Sequence, residues 1–183
     1  MNSLGYSAVG SGSVSSGTPG TGVKAVTHGD GYNMVTVLTM AGAVLPAITG
    51  GGAQAVGLKI FDFPAGVTRS KCVHMDIGIT QSEGNINNDT PVVGIGSDEA
   101  TGAVSVLNGT TEFDDYVVEQ TAGDCIGTTT DKSEDTSPAG LKLNEAGGDK
   151  TVWFNAADIW AASGDAAATL NGTATIEWTF LGA

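Results

Sequence analysis

Cys72, His74 and Asp76 are the residues whose types and spacing come nearest to chemistry. They alternate with Val73, Met75, Ile77 and Ile79, a period of two that predicts a strand with one apolar and one polar face. Residues two apart on a strand project together, so the three polar side chains form one row. A thiolate beside an imidazole could act as nucleophile and base. Along a flat strand, however, such side chains stand about 7 Å apart. No loop that would supply oxyanion donors follows, so the row reads as a semi-polar sheet face and the chain as a non-enzyme. A metal would need a bent strand to draw the same ligands together.

Other chemical signals are weaker. His28 precedes a Gly-Asp-Gly turn. Carboxylates cluster at Asp98–Glu99, Asp114–Asp115 and Asp131–Asp135, but none has the alternating oxygen donors and distal Glu of a calcium loop. They read as solvated loops, with a calcium site shared between subunits as the alternative. Cys72 and Cys125 could pair, although a chain of this length needs no staple and two cysteines make no framework. Asn88, Asn108 and Asn171 begin glycosylation sequons, and Asn108-Gly109 and Asn171-Gly172 are also turn dipeptides. Turn chemistry explains them without glycans. Gly50–Gly52 and Gly94-Ile95-Gly96 precede no helix and cradle no phosphate. Cofactors are expected to be absent.

These residues must be positioned by strands. The 183 residues include 28 glycines and only 15% charged residues, a strand-and-turn composition. Segments 23–28, 32–44, 53–80, 91–97, 103–107, 110–119, 141–144, 151–160 and 173–180 read as strands with turn signals between them. Within 32–44 both faces carry apolar groups, which fits burial on both sides or in an interface. The glycines at 94 and 96 predict close approach of another backbone. Ala174, Ile176, Trp178 and Phe180 alternate strictly with Thr173, Thr175, Glu177 and Thr179. Trp178 is thus a core residue, whereas Trp153 falls opposite Val152 and Phe154. The 53–80 segment reads as a hairpin whose corner, Asp62 to Gly66, is broken by Pro64 and turned by Gly66. No helical period appears. The predicted class is all-β, a two-layer β-sandwich or barrel-like (jelly-roll-like) domain over residues 23–183. It is preceded by an extended Gly/Ser-rich arm over residues 1–22, with Leu4, Tyr6, Val9 and Val14 as sparse apolar beads.

Net charge is −13, with seven Lys and Arg scattered through the chain. Neutralising nucleic-acid phosphates needs clustered cations, so neither nucleic acid nor an anionic membrane is an expected partner. No segment is long and apolar enough to span a bilayer as a helix. The first 22 residues lack the basic start and apolar run of a secretory signal, and the expectation is synthesis in a cytoplasm.

KIFDFPAG at Lys59–Gly66, VHMDIGI at Val73–Ile79, TPVVGIGS at Thr90–Ser97 and the ending TVWFNAADIWAASGDAAATLNGTATIEWTFLG resemble small virion proteins of tailed phages. The corner and the last strand are the most specific parts, and the likeness spans roughly residues 23–183. The acidic Thr128–Pro138 segment has no counterpart. The resemblance implies a head decoration or cement protein. Such a subunit is a structural protein of the virion that binds the major capsid protein shell and its own copies, commonly as a homotrimer, on the phage head surface. It is made in the host cytoplasm. Contacts are then expected at Leu4, Tyr6, Val9, Val14, Phe61, Phe63, Pro64 and Trp153. The alternative is a receptor- or carbohydrate-binding β module of a fibre or spike, with exposed aromatics on one face. The major shell protein itself is disfavoured, because the common tailed-phage shell fold needs a long helix.

Overall fold

The fold is described from a computed structural model, for residues 16–46, 55–81, 92–102, 104, 106–107, 112–121, 143–144, 151–157 and 168–182. Ten strands follow in order: β1 (Thr18–Pro19), β2 (Val23–Gly29), β3 (Asn33–Val44), β4 (Val56–Asp62), β5 (Val67–Gln81), β6 (Val92–Gly96), β7 (Val117–Thr121), β8 (Leu143–Asn144), β9 (Thr151–Ala157) and β10 (Ala168–Gly182). They make two antiparallel five-stranded sheets, a first of order β2-β3-β10-β5-β8 and a second of order β1-β4-β9-β6-β7. The all-β sandwich is as expected from the period-two segments.

The core lies between the sheets. Met34, Leu38 and Met40 of β3, Val73, Met75, Ile77 and Ile79 of β5, and Ala174, Ile176 and Trp178 of β10 supply one side. Ile60, Val93, Ile95, Val152 and Phe154 supply the other. Burying one such large side chain contributes about 1.5–3 kcal/mol. Trp178 donates its indole N–H to Thr36 Oγ1 at 2.9 Å, and Thr36 and Thr27 share a further hydroxyl bond of 2.9 Å. Thr27 Oγ1 in turn donates to the Ser16 carbonyl at 3.1 Å. Trp178, Thr36 and Thr27 are thereby satisfied in one chain that ends on the N-terminal segment.

Several local readings are revised. The 53–80 segment is not a hairpin: β4 and β5 belong to different sheets. The corner is the crossover between them. Pro64 offers no N–H, Gly66 takes a φ of 113°, and a Cβ there would meet the Phe180 ring. Phe61, Phe63 and Trp178 stack edge to face behind it, at 5.3 and 5.6 Å between ring centroids. Phe61, Phe63 and Pro64, expected at a contact with a partner, lie instead inside this chain's own sandwich. A bulge in β4 lets the consecutive residues Ile60 and Phe61 both turn inward.

Asn171-Gly172 is no turn. It lies within the continuous strand β10, opposite a bulge of β3 whose extra residue is Gly42, and Asn171 Oδ1 accepts from the Gly42 N–H at 2.9 Å. Residues 104 and 106–107 are irregular and not a strand, and β7 pairs with β6. Thr18 and Pro19, which the sequence reading puts in the arm, pair with Asp62 and Phe61 as the edge of the second sheet.

Candidate functional site

The row Cys72–His74–Asp76 is placed as expected, on the outer face of β5, because a bulge at Lys71 resets the alternation between buried Ser70 and buried Val73. His74 and Asp76 are exposed and Cys72 is half-buried. Burial pushes the Cys72 thiol up, and the Glu177 carboxylate facing it across the strand pair adds to the shift. A nucleophilic cysteine needs the opposite shift. Cys72 is in no disulfide; Cys125 lies outside the described residues. No group of three or more metal-binding side chains is found among the described residues.

The carboxylates serve the loops. Asp115 accepts from the N–H and hydroxyl of Ser97 at 2.8 and 3.0 Å. Asp114 accepts from the Glu119 N–H at 3.0 Å, and Glu119 from the Leu107 N–H. Asp30 accepts from the N–H groups of Tyr32 and Asn33, which hold its carboxyl below the ordinary value. A residue that sequence reading passes over organises this region. Asn155, fully buried in β9, accepts from the Ala100 N–H at 3.0 Å. It donates to the carbonyls of Asp98 and Phe113 at 2.9 and 2.8 Å. Its place in an otherwise apolar strand, TVWFNAA, is the one signal that could have found it.

Through these bonds the 97–116 segment is folded over the outer face of the second sheet. Ala55, Ala100, Leu107 and Ala157 form a small second core there, with Val92, Val104 and Phe113 against it. Gly96 is the point of closest approach, where a Cβ would strike the Glu112 carbonyl and Phe113 backbone. The bare glycine face is as expected covered by backbone. Trp153 is half-buried on this same outer face, between Lys59 and Gly96.

The outer face of the first sheet is different. Across β2, β3, β10 and β5 it presents His28–Val35–Glu177–Cys72, then Val26–Val37–Thr175–His74, then Lys24–Thr39–Thr173–Asp76. Val26 is 42% exposed, and Val35, Val37, Thr173 and Thr175 are half-exposed. No described residue packs over them as the 97–116 segment packs over the other sheet. The apolar groups on both faces of segment 32–44 thus line the core on one side and this open face on the other. His28 closes one end, its Nδ1 buried without a hydrogen-bond partner among the described residues.

Trp153 and Trp178 sit on different sheets and Trp178 is fully buried, so they share no exposed aromatic face. Leu4, Tyr6, Val9, Val14, Trp160, Asn88, Asn108 and the Asp131–Asp135 cluster lie outside the described residues. No helix among the described residues is long and apolar enough to cross a membrane.

No protein family, no curated protein and no solved structure matches the chain.

Proposed function

We propose that the chain is a non-enzymatic structural protein of a tailed-phage head, a decoration or cement subunit binding the capsid shell and its own copies. The observation that carries this reading is the asymmetry of the sandwich. One sheet is covered by the described residues of the chain's own 97–116 segment, while the other offers an open face that carries Val26, Val35, Val37, Thr39, Thr173 and Thr175. The valines gain by burial against a neighbour, and Lys24, Asp76 and Glu177 beside them are the charges that a partner would have to pair. The virion assignment itself rests on the resemblance of the Lys59–Gly66 corner and the last strand to small phage head proteins.

The N-terminal segment supports the same reading. Gly17 and Gly20 bring backbone against Phe61 and Lys59 so closely that a Cβ at either position would clash, and the Gly20 N–H donates to Ile60 O at 3.0 Å. The chain from Ser16 to Gly20 is therefore held at a sheet edge. Several weak contacts per subunit, multiplied in an oligomer such as a trimer, would give avidity on the shell.

The test is deletion of residues 2–15, which spares β1, followed by occupancy on purified heads after salt or heat challenge. The expected result is lost occupancy with an unchanged fold. Unchanged occupancy would remove the arm from the account.

A further inference from the structure

At one end of the open face, a cleft of about 440 Å³ is lined by Tyr32, Arg69, Lys71, Thr179 and Leu181. We propose that it binds a carboxylated sugar unit, with the carboxylate held by Arg69, Lys71 and Thr179 and the ring seated between Tyr32 and Leu181. This inference is independent of the capsid reading, since either kind of protein could carry such a site.

The cleft is assembled by register. Thr179 of β10 faces Asn33 of β3 on one side and Arg69 of β5 on the other. The bulge at Lys71 puts a second cation on the same side as Arg69, and the Lys71 ammonium reaches over β10 to donate to Asn33 Oδ1. Two of the chain's seven cations thus converge on one cleft of a protein whose net charge is −13. The Arg69 guanidinium has no hydrogen-bond or ion-pair partner among the described residues. A free guanidinium is a ready bidentate partner for a carboxylate.

Thr179 gives the second, independent sign. It is only 3% exposed, yet its Oγ1 is buried with no hydrogen-bond partner among the described residues. A buried hydroxyl without a partner is unfavourable unless something completes it. Here it borders the cleft between two cations, where a ligand oxygen would accept its proton. The remaining walls are apolar and open: Tyr32 is 55% and Leu181 45% exposed. An aromatic face beside an aliphatic one suits the C–H face of a pyranose, and the volume is in the range of small-ligand sites.

The surrounding charge narrows the ligand. Glu177 follows two residues before Thr179 on the same face, and Asp30 adjoins Tyr32. A polyanion would meet these and the rest of an acidic surface. A single carboxylate on an otherwise neutral body meets mainly the two cations, since more distant charges are screened within about 8–10 Å. The chemistry is therefore that of a uronic acid or a sialic-type sugar rather than a nucleic acid.

The experiment is a backbone-amide NMR titration of the full chain with glucuronate, glucose and inorganic phosphate, repeated on Arg69→Gln and Thr179→Val. Saturable shifts of Tyr32, Arg69, Lys71, Thr179 and Leu181 with glucuronate alone are expected. Affinity should fall about tenfold or more in Arg69→Gln, the equivalent of one charge-assisted bond. Thr179→Val should weaken binding while raising Tm, because it removes an unpaired buried hydroxyl; a merely structural threonine would not weaken binding. Absence of saturable shifts, equal shifts with glucose, phosphate binding as tight as glucuronate, or undiminished binding in both variants would overturn the proposal.

Discussion

At the scale of single residues, the two polar side chains that matter most are buried ones. Asn155 satisfies one N–H and two carbonyls of the covering segment. Asn155→Ala should leave these groups unpaired and lower stability by roughly 3 kcal/mol, read by urea denaturation. Trp178→Phe removes the donor to Thr36 and part of the aromatic stack, and a loss of about 2 kcal/mol is expected from the same measurement. Cys72 supplies a pH prediction. Burial and Glu177 raise its folded thiol value. Its contribution to stability is therefore constant below the ordinary thiol value and is lost as pH rises through the folded one. Alkylation of Cys72, followed in a Cys125→Ser background, should begin at higher pH than for a free thiol. Glu177→Gln should shift that onset down. Onset at the free-thiol value would contradict the assigned environment.

The row Cys72–His74–Asp76 was legible from spacing alone, because strand alternation is a local property. Asn155 was not, since its partners lie 42 to 57 residues away in sequence. Nor was the Thr179 cleft, whose walls come from the turn before β3, a bulge in β5 and the end of β10.

At the scale of elements, glycines with positive φ divide into two kinds. Gly172 has a φ of 137° and a Cβ there would strike the Asp76 carbonyl, whereas Gly42, at 74°, has open space. Gly42→Ala should cost about 1 kcal/mol from backbone strain alone, and Gly172→Ala clearly more, because the β5–β10 pairing must open as well. Equal melting temperatures for the two variants would contradict the close approach of Gly172 to β5. The dipeptide Asn171-Gly172 shows why sequence reading stops here. A positive-φ glycine after asparagine serves a hairpin turn or a continuous strand facing a neighbour's bulge equally well, and only the neighbouring strands decide. The Asp62–Gly66 corner behaves similarly. Pro64 and Gly66 mark a break in pairing, but whether the chain folds back or crosses to the other sheet depends on distant partners. Phe61 and Phe63, expected at a contact from the resemblance, pack inside the sandwich at this crossover.

For the whole molecule, the class was legible because period-two segments recur between turn signals and no helical period competes. The order of the strands was not, because sheet pairing is non-local. The account assigns the open valine–threonine face to contact with a neighbour. Val26→Asp lies on that face and touches no core residue's polar partner, so stability should change by no more than about 0.5 kcal/mol. Retention on heads, or self-association measured by light scattering, should fall. A loss of stability without a loss of association would assign the face to folding instead.

Counting the chain in purified particles separates a head subunit from every other reading. Heads and tails are separated, and the chain is quantified by mass spectrometry against the shell protein. A head subunit is expected at a fixed, near-stoichiometric ratio to the shell protein in heads and is expected to be absent from tails. A few copies confined to tails, or absence from both, would contradict the account.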